Sequence, residues 1–293
     1  MTNVRPRLIH KSFRWFCLQP YFKGKSRVEN ILSKIIPLSH SNVIADFPDG
    51  FHMTLNFNSP YEKWLYYHNC ELDTYTFIKK FLKPGMVFMD CGANMGFYSL
   101  VAASSVTSSG HVYSFEPTPS TFARLQKNLN ESKFKNIQAF ACALGETKGE
   151  AHIFQLDSFN HGMNTLAPMH KEAIDTATCH VFSLDGMLSE QKIQKPNLIK
   201  LDVEGSELAV LRGATKLLKD PSAPTMIIEL SPITTSRFGY KPEDIIDFIL
   251  SVRNFSVEWI HHGKRHPVTL KKKLPHYSVL GAMHGSNYTF YPR

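Results

Sequence analysis

Three short runs in this 293-residue chain carry residues whose types and spacing can do chemistry. The first is Asp90-Cys91-Gly92-Ala93-Asn94-Met95-Gly96-Phe97. Gly92 and Gly96 let a backbone turn tightly and come close to a ligand. A helix opening at Phe97 would offer its free N–H groups to an anionic group. Asp90, just before the turn, can hold a cation such as an ammonium. The second is Glu116, 24 residues past Gly92, where an acid can accept hydrogen bonds from two ribose hydroxyls. The third is Lys200-Leu201-Asp202-Val203-Glu204-Gly205-Ser206-Glu207. Strand periodicity puts Lys200 and Asp202 on one face. Asp202 and Glu204 could orient a substrate hydroxyl, take its proton or hold a divalent metal. Capping of the next helix is the plainer role, and it suits Glu207 best.

Runs one and two together describe a nucleoside ligand with a free ribose. A dinucleotide would call for G-x-G-x-x-G. Here Asn94 stands where the second glycine should be, and Asp90 would repel a phosphate. Both departures favour an amino acid in place of the pyrophosphate. A strand, turn and helix without any ligand is the structural alternative for run one taken alone.

These residues need elements to position them. Glu71–Leu82 has helical spacing and stops at Pro84-Gly85; Met86–Asp90 reads as a buried strand. A helix from Phe97, a strand at His111–Phe115, a helix over Pro119–Leu129 and a strand at Ile137–Ala141 follow. Residues 146–183 break the alternation and read as an insertion, with strand-like runs Ala151–Leu156 and Thr178–Leu184 around a polar loop. Alternation resumes with strand Asn197–Asp202, helix Ser206–Leu218, strand Thr225–Leu230 and helix Glu243–Val252. A strand at Phe255–Ile260 and a hairpin around Gly281–Gly285 end the chain. Serial strand–helix units imply an α/β fold, a doubly wound, mostly parallel sheet that binds ligands at its carboxyl edge. Residues 1–70 alternate weakly and are expected to form an N-terminal extension or cap to a domain over 71–293.

Bulk properties narrow the classes. Apolar residues make up 43% and charged residues 20%, which suits a packed domain and excludes wholesale disorder. The net charge is +8, yet residues 41–252 hold 18 basic and 23 acidic side chains. An acidic body with basic ends differs from the basic face of a nucleic-acid binder. The five cysteines, Cys17, Cys70, Cys91, Cys142 and Cys179, are widely spaced without a C-x-x-C, which fits a reducing, cytoplasmic setting. Met1–Phe22 lacks a signal peptide's apolar stretch, and no window has the roughly 18 apolar residues of a membrane span. His261, His262 and His266 lie among Gly263, Lys264 and Arg265 with no nearby acid, and Lys271–Lys273 reads as a solvated run.

The ordered set Asp90–Gly96, Phe115-Glu116-Pro117, Ile199–Glu207 and Leu211-Arg212-Gly213-Ala214 resembles the FkbM family of methyltransferases, from about Glu71 to about Glu229. The resemblance implies a class I, Rossmann-like methyltransferase fold of seven strands, one of them antiparallel, with S-adenosylmethionine as donor. It implies O-methylation of a sugar, a glycan or a glycosylated metabolite. It places Asp90, Gly92, Asn94, Gly96 and Phe97 at the methionine end, Glu116 on the ribose, Ala143 and Leu144 near the adenine, and Asp202 facing the active site. Loop Asn160–Leu166 resembles one in the family, with His161 a candidate base beside the plainer reading of a solvated loop histidine. Asp202 and Glu204 remain the candidates for a divalent metal, whose presence the sequence leaves open. The expected partner is a small-molecule or carbohydrate acceptor.

Three rival readings stand beside this one. An RNA or protein methyltransferase would use the basic ends, but Asp202-Val203-Glu204-Gly205 occupies the place of an N-P-P-Y-type strand end. A nicotinamide-dependent oxidoreductase is disfavoured by Asp90 and Asn94. A non-catalytic adenosine-binding module would bind cofactor without turnover.

Overall fold

The computed structural model describes residues 8–17, 27–28, 31, 42–67, 72–155, 165–167, 175–191, 193–261, 264–268 and 286–293. The chain divides into two units, Met1–Leu72 and Asp73–Arg293.

The first unit has more structure than its weak periodicity suggests. After helix α1 (Leu8–Cys17), strands β1 (Asn42–Asp46) and β2 (His52–Asn56) form an antiparallel hairpin, with Asp46 opposite His52. Helix α2 (Pro60–Tyr66) starts cleanly: Ser59 Oγ accepts from the Glu62 N–H at 3.3 Å, and Pro60 fills the first turn. Glu62 reaches back to accept from the Asn56 N–H at 2.6 Å, tying the helix to the hairpin. Phe13, Phe57, Tyr66 and Tyr67 pack into a small aromatic core. Arg14 lies over the rings of Phe47 and Tyr66, 5.1 and 4.8 Å from their centroids.

The second unit is built on one large sheet. Its first five strands are β3 (Val87–Cys91), β4 (His111–Phe115), β5 (Ile137–Phe140), β9 (Leu198–Leu201) and β10 (Thr225–Leu230). All five run parallel, side by side in the order β10-β9-β3-β4-β5. Every residue of β3 and β9 is buried, which is why they read as apolar runs interrupted only by Asp90 and Lys200. Strand β13 (Ser286–Pro292) pairs antiparallel with β10 and with β11 (Phe255–His261). These seven strands reproduce the expected layout. An eighth, β12 (Lys264–Pro267), adds a hairpin edge to β11. The expected hairpin at Gly281–Gly285 and the Lys271–Lys273 run lie outside the described residues.

The chain order reverses between β3 and β9, so a crevice opens at their carboxyl ends. Helix α4 (Phe97–Val106) leaves β3 there, and helix α5 (Pro119–Glu131) leaves β4. Helix α3 (Leu72–Phe81) precedes β3. Within the stretch expected as an insertion, β8 (Asp175–Phe182) and β7 (Gly149–Gln155) pair, and β6 (Ala143–Leu144), just before it, completes a separate small sheet in the order β6-β8-β7.

Two departures have local causes. Helix α6 (Leu184–Glu190), capped by Ser183, ends the stretch that read as a strand-like run. The single helix expected over Ser206–Leu218 is broken into α7 (Glu207–Arg212) and α8 (Thr215–Lys219). The break sits at Gly213, where an added Cβ would lie 2.1 Å from the Gly145 carbonyl oxygen. The Asp185 carboxylate then accepts from the Lys216 and Leu217 N–H groups at 2.8 and 2.9 Å, restarting the helix like an N-cap. Helices α9 (Pro232–Ser236) and α10 (Pro242–Val252) follow β10. Among the described residues no helix is long and apolar enough to cross a membrane.

Candidate active site at the carboxyl ends of β3, β4 and β9

Asp90 is the penultimate residue of β3 and is 1% exposed. Its Oδ2 accepts from Ser99 Oγ at 2.6 Å, and Ser99 in turn accepts from Ser114 Oγ at 2.8 Å. Ser99 lies on α4 and Ser114 on β4, so the chain of hydroxyls pins one carboxylate oxygen between strand and helix. The other, Oδ1, is buried with no hydrogen-bond partner among the described residues. Burial raises the Asp90 pKa, and the Lys200 ammonium and Ser99 work against that rise.

The turn after β3 is shaped as much by the protein as by any ligand. Gly92 has φ +86°, and a Cβ there would lie 1.8 Å from the Asp202 carbonyl oxygen. Gly96 has φ +94°, and its Cβ would lie 2.6 Å from Leu125 Cδ1 on α5. Gly92 is required by the backbone packed against it, and Gly96 by its left-handed φ more than by the movable leucine tip. Asn94 sits between them at φ 49°, a conformation asparagine tolerates better than most residues. Its Oδ1 is a second buried acceptor without a partner among the described residues.

Glu116 holds this turn in place. Its Oε2 accepts from the Asn94 N–H and its Oε1 from the Thr118 N–H, both at 3.0 Å. Glu116 thus joins the loop after β3 to the start of α5. With a further hydrogen bond from the Thr118 side chain, three protein donors meet this carboxylate and acceptor capacity for one more remains. Burial pushes the carboxyl up to about 7, against the pull of the Thr118 and Asn94 N–H groups.

Across the sheet, Asp90 pairs in register with Lys200 of β9. Lys200 is 2% exposed; its ammonium meets Asp202 Oδ2 at 2.7 Å and lies 4.9 Å from the centroid of Tyr98. As the strand period requires, Lys200 and Asp202 share a face. Burial alone would raise the Asp202 pKa, yet the Lys200 ammonium and a hydrogen bond with Glu229 bring it below its ordinary value. Asp202 therefore stays ionised, with its side chain 22% exposed. Lys200, Glu229, Tyr98 and Ser99 are site residues that the sequence argument left without a role. The signal for Lys200 was present: a lysine inside an otherwise apolar strand needs a buried partner.

Beyond Asp202 the chain turns sharply. Glu204 has φ 52°, a costly conformation for a non-glycine residue. Glu207 stabilises the turn: its Oε1 accepts from the Val203 and Gly205 N–H groups at 3.2 and 3.1 Å. Glu207 therefore braces the turn before the helix, through N–H groups that precede the Ser206 N-cap, instead of capping the helix's own N–H groups. Tyr240 Oη adds hydrogen bonds to the Gly205 carbonyl and to Glu207 Oε2, the latter at 3.3 Å. Burial, then the charges of Asp202 and Glu207, raise the Glu204 pKa well above its ordinary value. Asp202 and Glu204 are thus two carboxyls in one mouth whose surroundings push their proton affinities in opposite directions.

Phe97 opens α4 and is buried, with Tyr98 edge-on at 5.1 Å and Tyr75 at 6.3 Å. Ala143 and Leu144 form β6, and both side chains point into core clusters, leaving backbone as what they can offer a ligand. His161 lies outside the described residues. The described end of its loop is fixed by Thr165, whose hydroxyl donates to the Glu204 carbonyl at 3.1 Å. Among the described residues no group of three or more His, Cys, Asp or Glu side chains could hold a metal ion. Burial raises the thiol pKa of Cys91, Cys142 and Cys179, that of Cys142 to about 12, as befits small apolar core residues.

Known proteins are similar to this chain in sequence. The methyltransferase FkbM domain pattern matches residues 90–257. The hexuronic acid methyltransferase AglP of Haloferax volcanii is 28% identical over 173 residues, 59% of this chain and 64% of that protein. A protein named Methyltransferase 1 from Beauveria bassiana is 29% identical over 143 residues, 43% of this chain and 57% of its own. The chain spans less than two thirds of the length of either relative. The crystal structure of an FkbM methyltransferase from Methylobacillus flagellatus aligns with 96% of this chain and 58% of its own, at 18% identity and a TM-score of 0.48. The matched segment is more than half of this chain and takes in Asp90, Glu116, Asp202 and Glu204, so the chain belongs to the FkbM methyltransferase family.

Proposed function

We propose that this chain transfers the methyl group of S-adenosylmethionine to an oxygen of a sugar or glycan acceptor. The observation that carries the reading is the pair of buried, unpartnered acceptors, Asp90 Oδ1 and Asn94 Oδ1, at the end of the first parallel strand. Buried acceptors call for donors. The ammonium of a methionine moiety supplies three donors and a positive charge that suits Asp90. Glu116, with acceptor capacity left beside this turn, suits a ribose hydroxyl. The backbone at Ala143 and Leu144 is the expected adenine contact.

The donor, when bound, supplies a methyl group on a positively charged sulfur. The protein's own work is alignment and proton handling. Asp202 is ionised and partly exposed at the mouth of the crevice, so it can accept a hydrogen bond from an acceptor hydroxyl and draw off its proton. Lys200 and Glu207 keep that mouth in shape. His161 is retained as an alternative base, and Asp202 with Glu204 as a pair that a divalent metal could use. The relative named for hexuronic acid supports a carbohydrate acceptor. The test is transfer of labelled methyl to a panel of sugars and glycans, with the product located by NMR. Labelled O-methyl product from a sugar supports the reading. Labelling of RNA or protein alone would replace it with the rival substrate class.

A further inference from the structure

Arg237 closes the short helix α9, on the far side of the crevice from Asp90 in the strand order. Its Nη1 is buried and has no hydrogen-bond partner among the described residues. The segment that carries it is pressed onto the Glu204 turn. A Cβ at Gly205 would lie 2.4 Å from the Thr234 carbonyl oxygen and 2.8 Å from the Phe238 ring. Arg237 falls between those two contacts in the chain, which sets it beside Glu204. Its charge acts on the Glu204 carboxyl more strongly than that of Lys200 does.

An arginine at this position is unusual in two ways. Buried guanidinium nitrogens are nearly always paired. Among the described residues no carboxylate forms an ion pair with Arg237, so the cation is left without a direct counter-charge. Lys200, the other buried cation at the crevice, is already matched to Asp202. A planar guanidinium with an open N–H fits a carboxylate, which can take two parallel hydrogen bonds.

We propose that Arg237 binds a carboxylate carried by the methyl acceptor, so that the enzyme selects an acidic sugar over its neutral counterpart. This rests on the methyltransferase reading above and names the acceptor class for the same site. Arg237 sets specificity, and Asp202 remains the group that meets the reacting hydroxyl.

The test uses the full chain saturated with S-adenosylhomocysteine, titrated by NMR with D-glucuronate and with D-glucuronamide, which differ in the carboxylate charge. The expected result is at least tenfold tighter binding of glucuronate. Arg237→Gln should bring the two affinities together while leaving that for S-adenosylhomocysteine unchanged. Arg237→Lys keeps the charge but loses the two-point geometry, and should keep a reduced preference; it serves as the readout if the glutamine variant fails to fold. No preference in the wild type, including no binding of either sugar, overturns the proposal, as does a preference that survives in both variants. Failure to bind S-adenosylhomocysteine at the outset would instead sink the methyltransferase reading itself.

Discussion

The carbonyl oxygen of Asp202 lies where the Cβ of any other residue at position 92 would have to go, 1.8 Å from that atom's ideal place. Two motifs far apart in sequence are thus one packed unit. The Asp202 N–H closes it by donating to the Cys91 carbonyl at 3.0 Å.

Gly92→Ala therefore meets both a backbone collision and an unfavourable φ. Strain of roughly 1–3 kcal/mol adds to overpacking of about 1–3 kcal/mol, so a loss of about 3 kcal/mol or more is expected. Thermal denaturation should show it as a large drop in Tm. Gly149, at which an added Cβ meets nothing within 4 Å, is the control, and Gly149→Ala should leave Tm nearly unchanged.

Glu116 gives the site a pH signature. Burial lifts its pKa to about 7, and that of Glu207 to about 7 as well. A carboxyl raised in the fold contributes its full stability while protonated, below the ordinary carboxylate range. That contribution is lost as pH rises through about 7. The ligand-free protein should thus lose stability on going from about pH 5 to about pH 8. A ribose hydroxyl donating to Glu116 would favour its ionised form, so binding S-adenosylhomocysteine should release protons near neutrality. Calorimetry in buffers of different ionisation enthalpy would read the release, and Glu116→Gln should abolish it while Glu207 keeps its share of the stability profile.

Lys200 stands between two acids, and its removal leaves both without their cation. Lys200→Met should cost about 3–5 kcal/mol, a fall in Tm of roughly 6–20 °C for a domain of this size. A denaturant titration giving less than about 1 kcal/mol would show that the buried charges are solvated in some other way.

Asp202→Asn separates chemistry from binding. Loss of a group that draws off the acceptor's proton should lower kcat by about 10²–10⁴-fold. S-adenosylhomocysteine affinity should change little, because Asp90 and Glu116 are untouched. Stopped turnover with unchanged cofactor affinity is the expected pair of readings, and a variant with full kcat would move the base to another residue, His161 first.

Much of this was legible in the sequence because parallel strands buried on both faces leave largely apolar runs, as at Val87–Cys91 and Thr225–Leu230. The chemistry-bearing residues sit at the ends of those runs, so finding the strand found Asp90, Glu116 and Asp202. What was hidden depends on contacts across the fold. The Gly92 requirement comes from Asp202, more than a hundred residues on, and the break at Gly213 comes from Gly145 and Asp185. The hairpin of β1 and β2 consists of two five-residue strands, and although His52–Asn56 alternates polar and apolar residues, runs this short stand out little from the residues around them. The edge strand β12 is four residues of Lys-Arg-His-Pro, a sequence with no apolar face to announce it. Lys200 and Arg237 became interesting only when the structure showed which of them already has a carboxylate.

Titration of the purified chain with S-adenosylhomocysteine by isothermal calorimetry tests the central claim most directly. The account predicts one site per chain with micromolar affinity, lost in Asp90→Asn, which keeps the contact with Ser99 but not the charge that suits the ammonium. A folded wild-type protein that takes up no S-adenosylhomocysteine, or an Asp90→Asn variant that binds it equally well, would contradict the assignment of this crevice as the methyl-donor site.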